Sequence, residues 1–196
     1  MKKAICLLVA LALLMIPSMC VSAETADTNL VGVSNAVSDD VYDVTVRIST
    51  DYLCAGLQAE VAFDSTKITY VGEAADEINV AKGKISVSKA SAEDINGKWF
   101  DLKFTSKTML FADDFTVSNV KGVKIINNEV SVNSDNENYT YGDLNVDGKI
   151  NILDFIGLSK LGIDSSNATD AADCNLNGEL DSNDLVALKK LLLLAF

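Results

Sequence analysis

The chain contains no histidine, one proline and one tryptophan in 196 residues. Without imidazole, the usual general base of serine and cysteine hydrolases and the commonest zinc ligand are both missing, which closes most hydrolytic routes. Positive charge is scarce: 16 Lys and Arg stand against 28 Asp and Glu, a formal net charge of −12. Nucleic acid and anionic membrane are poor partners for such a surface, and neither is expected. Aromatic residues make up only 7% of the chain, little for a surface that stacks on sugar rings. No apolar run reaches the roughly 18 residues that a membrane-spanning helix needs. The longest, Ala4 to Ile16, follows Met1-Lys2-Lys3 and precedes the small-residue cleavage site Val21-Ser22-Ala23, so residues 1–23 read as a secretion signal and the product as extracellular. Of four cysteines, Cys6 and Cys20 leave with that signal. Cys54 and Cys174 remain, and spacing alone does not decide between a disulfide and two thiols.

What the chain does have is concentrated in its last third. Asp143 to Asp154 (DLNVDGKINILD) and Asp173 to Asp184 (DCNLNGELDSND) each place side-chain oxygens at loop positions 1, 3, 5, 9 and 12 and glycine at position 6, the ligand order of a calcium loop. In the first loop the donors are Asp143, Asn145, Asp147, Asn151 and Asp154, with the Lys149 carbonyl at position 7 and Gly148 at the turn. In the second they are Asp173, Asn175, Asn177, Asp181 and Asp184, with the Glu179 carbonyl and Gly178. Each loop gathers three carboxylates that repel one another unless a cation sits between them, so two Ca2+ ions are expected as part of the fold. Both loops close on Asp, where an ordinary EF-hand closes on a bidentate Glu.

The duplication runs past the loops. Phe155, Ile156, Leu158 and Leu161 fall thirty residues before Leu185, Val186, Leu188 and Leu191, which predicts a helix after each loop. No amphipathic helix precedes either loop. Each unit is therefore a half-hand, and neither can bury its apolar face without the other.

From Tyr141 to Phe196 the chain resembles a type I dockerin, the calcium-dependent module that plugs proteins into the cohesins of a scaffoldin in a cellulosome or related polysaccharide-degrading assembly. The resemblance implies that cohesin recognition lies at loop positions 10, 11, 17 and 18. These are Ile152, Leu153, Ser159 and Lys160 in the first half, and Ser182, Asn183, Lys189 and Lys190 in the second. The first set is partly apolar and the second polar and basic, which predicts a single docking orientation; packing of Ile152 and Leu153 into the core is the alternative.

Before that tail, residues 24–132 read as strands. Tyr42, Val44, Val46 and Ile48 alternate with Asp43, Thr45 and Arg47, and Leu57, Ala59, Val61 and Phe63 with Gln58, Glu60 and Ala62. Further strands are predicted over Leu30 to Ser34, Lys67 to Val71, Lys84 to Ser88, Lys98 to Thr105, Phe115 to Val117 and Val123 to Val132. Turns at Lys82-Gly83 and Asn96-Gly97 and the lack of helical periodicity predict an antiparallel β-sandwich. A polar linker is expected over residues 133–140.

The strand segment is similar to a cohesin-type jelly-roll domain in Ala55 to Asp64, Lys67 to Val71 and Trp99 to Phe104. The whole is thus expected to be multidomain, a sandwich followed by a small α-helical dockerin with two EF-hand-like loops. The sandwich is expected to take a second partner, a protein or a polysaccharide. For a polysaccharide the candidate platform is Trp99, whose alternative role is to cap the core, with Tyr52 in a predicted loop as a second ring. A glycosidase needs only two carboxylates, and Glu60, Asp64, Glu73, Asp76 and Glu77 are present. So small a sandwich leaves little room for a deep cleft, and a non-catalytic component is expected.

Overall fold

The structure, a computed structural model, describes residues 27–73, 75, 77–126, 129–161 and 170–194; the expected secretion signal lies outside them. The strands are β1 (Asn29–Ser38), β2 (Val41–Phe63), β3 (Ile68–Tyr70), β4 (Ile78–Ala81), β5 (Lys84–Ser106), β6 (Phe115–Ile126), β7 (Glu129–Asn133) and β8 (Asn136–Thr140). Two helices follow, α1 (Ile152–Leu161) and α2 (Ser182–Leu194).

Segments that the sequence suggests as separate strands are here joined. The runs around Val46 and Val61 are two halves of β2, and those around Val87 and Leu102 are two halves of β5. The register between them slips at Ile48/Ser49, Thr50/Cys54 and Cys54/Gly56. Such irregularities bend and twist a ladder locally, so one long strand can serve both layers of a sandwich. Gly97 (φ +83°) lies in that region, paired with Thr50, and Asn96-Gly97 is therefore a kink inside β5 where a hairpin turn is predicted. Lys82-Gly83 does form the turn between β4 and β5, with Gly83 at φ +74°.

The first half of β2 pairs with β1 and the end of β5, and β3 extends this layer. The second half of β2 lies between the start of β5 and β6, with β4 and β7 outside them. Alternation delivers Val44, Val46, Ile48, Leu102 and Phe104 from one layer and Val61, Ile85 and Phe115 from the other into one buried core. Phe104 makes edge-on or tilted ring contacts with Phe63, Tyr70 and Phe115 at 5.2, 5.3 and 5.2 Å. The architecture is the expected sandwich followed by a small helical region, with one parallel pair added.

That pair is β1 with β8, from Asn29↔Asn136 to Val33↔Thr140. Where the composition suggests a linker, residues 136–140 are a strand, because β1 offers an open edge whose backbone groups need partners. The Tyr141 N–H continues the ladder onto the Val33 carbonyl at 2.8 Å. Tyr139 and Tyr141 meet edge-on over Gly32, and a Cβ on Gly32 would lie 2.4 Å from the Tyr141 ring, so only glycine fits. The C-terminal region is thereby seated on the sandwich: Val37, Tyr42, Met109 and Phe111 pack against its core of Ile150, Leu158, Cys174, Leu188 and Leu191. The Ser34 hydroxyl donates to the Cys174 carbonyl at 3.4 Å. The nominally polar face of the sandwich is covered as well, and Ser34, Thr45 and Ser49 are buried.

Candidate functional site

Strand β8 delivers the chain directly into the first calcium-type loop, taking the place of an entering helix. Immediately before the second stands a short 3-10 turn, Asp170–Ala172. The two loops fold almost identically. At position 1, Asp143 accepts the backbone N–H groups of Asp147 (3.1 Å) and Gly148 (2.8 Å), and Asp173 accepts those of Asn177 (3.0 Å) and Gly178 (2.9 Å). At position 3, the Asn145 and Asn175 carboxamide oxygens take the same Asp147 and Asn177 N–H groups. At position 5, Asp147 and Asn177 hold the N–H groups of Lys149 and Glu179, the residues at position 7. At position 9, Asn151 and Asp181 cap the helices by accepting from Leu153 (2.8 Å) and Asn183 (2.7 Å).

The closing aspartates are the most constrained members. Asp154 is 1% exposed and Asp184 fully buried, each in the first turn of its helix. Asp154 accepts from Leu144 (3.0 Å) and Asn145 (3.4 Å) on one oxygen and from Asn151 (2.8 Å) on the other. Asp184 accepts from Asn175 (3.2 Å) and Asp181 (2.8 Å). Each thus ties both ends of its loop together from inside the helix, and the shorter side chain suits that position.

Backbone strain repeats in register too. Val146 (φ +56°) and Leu176 (φ +61°) at position 4 are left-handed, beside Gly148 (φ +77°) and Gly178 (φ +85°) at position 6. A left-handed bulky residue costs on the order of 1–2 kcal/mol and persists only where its surroundings over-determine it.

These residues fit a calcium ion. The donors are all oxygen, a mixture of carboxylate, carboxamide and carbonyl, as hard cations prefer. Asp143, Asp154 and Asp184 are buried, and among the described residues no Lys or Arg forms an ion pair with a loop acid. A buried carboxylate without a counter-charge is costly, and a bound dication removes that cost. Among the described residues no group of three His, Cys, Asp or Glu side chains is drawn together to hold a metal ion, so the three carboxylates of each loop stand further apart than the sequence suggests and bond to backbone N–H groups instead.

The two half-hands pack as the repeat predicts. Leu158 and Leu188 are equivalent and both buried, while Ile156 and Val186, expected on the apolar faces, are equivalent and both exposed. The expected recognition residues Ile152, Leu153, Ser159, Lys160, Ser182, Asn183, Lys189 and Lys190 are all exposed. Ile152 and Leu153 are each 60% exposed, which removes the core-packing alternative.

Elsewhere the structure corrects the sequence. Trp99 is 6% exposed and its indole N–H donates to the Thr50 hydroxyl at 3.3 Å. It falls at the register slip, where Ile48 pairs with Phe100 and Ser49 with Lys98, and the bulge turns its ring inward. Tyr52 is not in a loop. It lies in β2, buried, donating to Asn29 Oδ1 at 2.7 Å with Lys124 over its ring. Neither ring presents a sugar platform. Cys54 belongs to the sandwich core and Cys174 to the helical core, so no disulfide joins the modules. Burial, with Asp184 and other acids nearby, pushes the Cys174 thiol up to about 12.

Sequence reasoning missed Arg47. Its guanidinium forms a two-pronged pair with Asp101 (2.8 and 3.0 Å) and reaches the Leu176 carbonyl of the second loop at 3.4 Å. An arginine amid an alternating strand signals only a solvated face. Burial pushes the Asp101 carboxyl up, but Arg47 outweighs it and holds Asp101 below the usual range.

Residues 141–193 match the family model described as the dockerin type I domain. No curated protein matches the chain. Among solved structures, the seventh ScaB type I cohesin from Pseudobacteroides cellulosolvens is similar at 15% identity, covering 58% of this chain and 92% of that one with a TM-score of 0.41. A type II cohesin–X-dockerin complex from Acetivibrio cellulolyticus gives 11% identity, 57% and 95% coverage and a TM-score of 0.38. The second type II cohesin module of the ScaA scaffoldin from the same organism gives 15%, 50% and 80%, and 0.35. Similarity at this level transfers no ligand.

Proposed function

We propose that this protein is an exported, non-catalytic component of a cellulosome-type polysaccharide-degrading assembly. Its C-terminal module, organised by two calcium ions, docks into a cohesin module of a scaffoldin, and its sandwich takes a second partner, a protein rather than a sugar, because Trp99 and Tyr52 are buried. The observation that carries the reading is the duplicated loop: two donor sets thirty residues apart, each closed by a buried aspartate and followed by a helix with exposed recognition positions.

In the bound state Asp143, Asn145, Asp147, the Lys149 carbonyl, Asn151 and Asp154 would hold one ion, and Asp173, Asn175, Asn177, the Glu179 carbonyl, Asp181 and Asp184 the other. The three carboxylates of each loop would have two of their three charges offset by an ion held there, which would let α1 and α2 keep one relative placement. A module that is not organised cannot present a single recognition surface, so docking depends on the metal.

The non-catalytic reading is supported by the state of the acids. Asp101, in a crevice of about 970 Å³, is held ionised by Arg47, and a carboxylate held ionised is a poor general acid.

The test is a pull-down of the mature chain against a panel of cohesin modules, first with calcium and then with chelator. Retention in calcium and release in chelator are expected. Retention that ignores the chelator contradicts metal-organised docking, and hydrolysis of plant polysaccharide or starch by the purified chain contradicts the non-catalytic reading.

A further inference from the structure

The repeat creates two recognition faces of the same design, and the tertiary structure leaves them unequal. Asn183, Val186 and Lys190 on α2 form one wall of a crevice of about 970 Å³ whose other wall is sandwich, including Val37, Thr45 and Lys103. A cube of that volume has an edge of about 10 Å, roughly the thickness of one helix with its side chains. A specific protein interface needs about 800 Å² laid open on each partner. Asn183, Val186 and Lys190 are open to water, but a folded receptor laid over them meets the sandwich wall of the same crevice, and moving that wall away breaks the packing of Val37, Tyr42, Met109 and Phe111 on the helical core.

The other face is open. Ile150, Ile152, Phe155, Leu192 and Leu193 line a groove of about 540 Å³ between α1 and α2 to which no sandwich residue contributes. Of these, Ile152 is 60% and Leu193 68% exposed. Its one charged lining residue is Lys189. Consecutive lysines thus belong to different surfaces, Lys189 to the open groove and Lys190 to the screened crevice.

The geometry points to one-way docking imposed by the sandwich: a receptor engages the groove at the start of α1 and the end of α2, and the start of α2 is closed to it. The inference rests on the cohesin-docking reading and adds the face and the chemistry of the occupant, a receptor with an apolar patch and a carboxylate placed against Lys189.

The test uses the full mature chain, calcium and the cohesin module that the panel retains. Amine labelling read by mass spectrometry in the free and bound states should show Lys189 protected and Lys190 unchanged. Ile152→Glu should weaken binding by at least about thirtyfold, the scale of an interface hot spot, and Asn183→Asp with Lys190→Gln by less than about threefold. Protection of Lys190, or a larger loss from the second substitution than from the first, overturns the inference while leaving docking itself intact. Absence of binding to every cohesin overturns docking and this inference together. A homodimer in light scattering that Ile152→Glu abolishes assigns the groove to a second copy of the chain and also overturns it.

Discussion

Replacing both closing aspartates, Asp154→Asn and Asp184→Asn, separates their two duties, because asparagine keeps the shape and one acceptor oxygen but loses the charge. In the structure each carboxylate uses both oxygens: Asp154 serves Asn151 with the second, and Asp184 serves Asp181. An amide NH2 at that place faces a backbone N–H and leaves one buried donor unpaired per loop, a cost of about 1–3 kcal/mol each. In chelator the double variant should therefore lose at most roughly 2–6 kcal/mol, offset in part because it no longer buries two carboxylates without a counter-charge. Calcium then adds a second difference. At a hundredfold excess over the dissociation constant, a site that binds only when folded is stabilised by about 2.7 kcal/mol, so two sites give the parent roughly 5 kcal/mol that the variant cannot gain. The assay is urea unfolding followed by helical circular dichroism, which reports α1 and α2, in chelator and in calcium. The gap between parent and variant should widen when calcium is added. Equal calcium-induced shifts in the two proteins refute the ligand role of the closing aspartates. No shift in the parent refutes the metal reading altogether.

Arg47→Met removes the partner of a mostly buried carboxylate. Lys98 remains 3.5 Å from Asp101, so the loss should be about 1–3 kcal/mol, between exposed and buried pairs; a change in urea midpoint equivalent to less than about 0.5 kcal/mol speaks against the pair. Gly32→Ala drives a Cβ into the Tyr139 and Tyr141 rings and should cost about 1–3 kcal/mol. Helical and sheet signals that still melt together without loss show that the rings yield freely. Tyr52 has its phenol pushed up by burial to about 12, above the ordinary value of 10.0. A raised folded-state value contributes stability that is complete below pH 10 and is lost as pH rises toward 12. Alkaline unfolding across that window should be blunted in Tyr52→Phe, and an unchanged profile removes Tyr52 as its cause.

The legible parts of the sequence were those in which the signal is local. Loop donors lie within twelve residues of one another, and glycine at position 6 answers a backbone need within the same turn. The helices after each loop were visible for the same reason, although Ile156 and Val186 show that a period of apolar residues does not say which of them meets a partner. Alternation found most of the sheet. It could not find that β2 and β5 are each continuous, because a bulge that bends a strand between layers resembles a turn along the chain.

The sequence by itself determined the chemistry of this protein: an acidic, histidine-free chain with two oxygen-rich loops, two helices to cover them and a strand-rich module in front. Only the tertiary structure decided that Trp99 is core, that residues 136–140 are a strand on β1, that Arg47 reaches the second loop, and that one of two equivalent helix faces stands open while the other looks into a crevice. The physical reason is range. Ligand order and periodicity are set by neighbours along the chain, whereas burial, edge pairing and screening depend on which distant segment comes to rest against a surface, and two copies of one motif are distinguished only by what lies beside them.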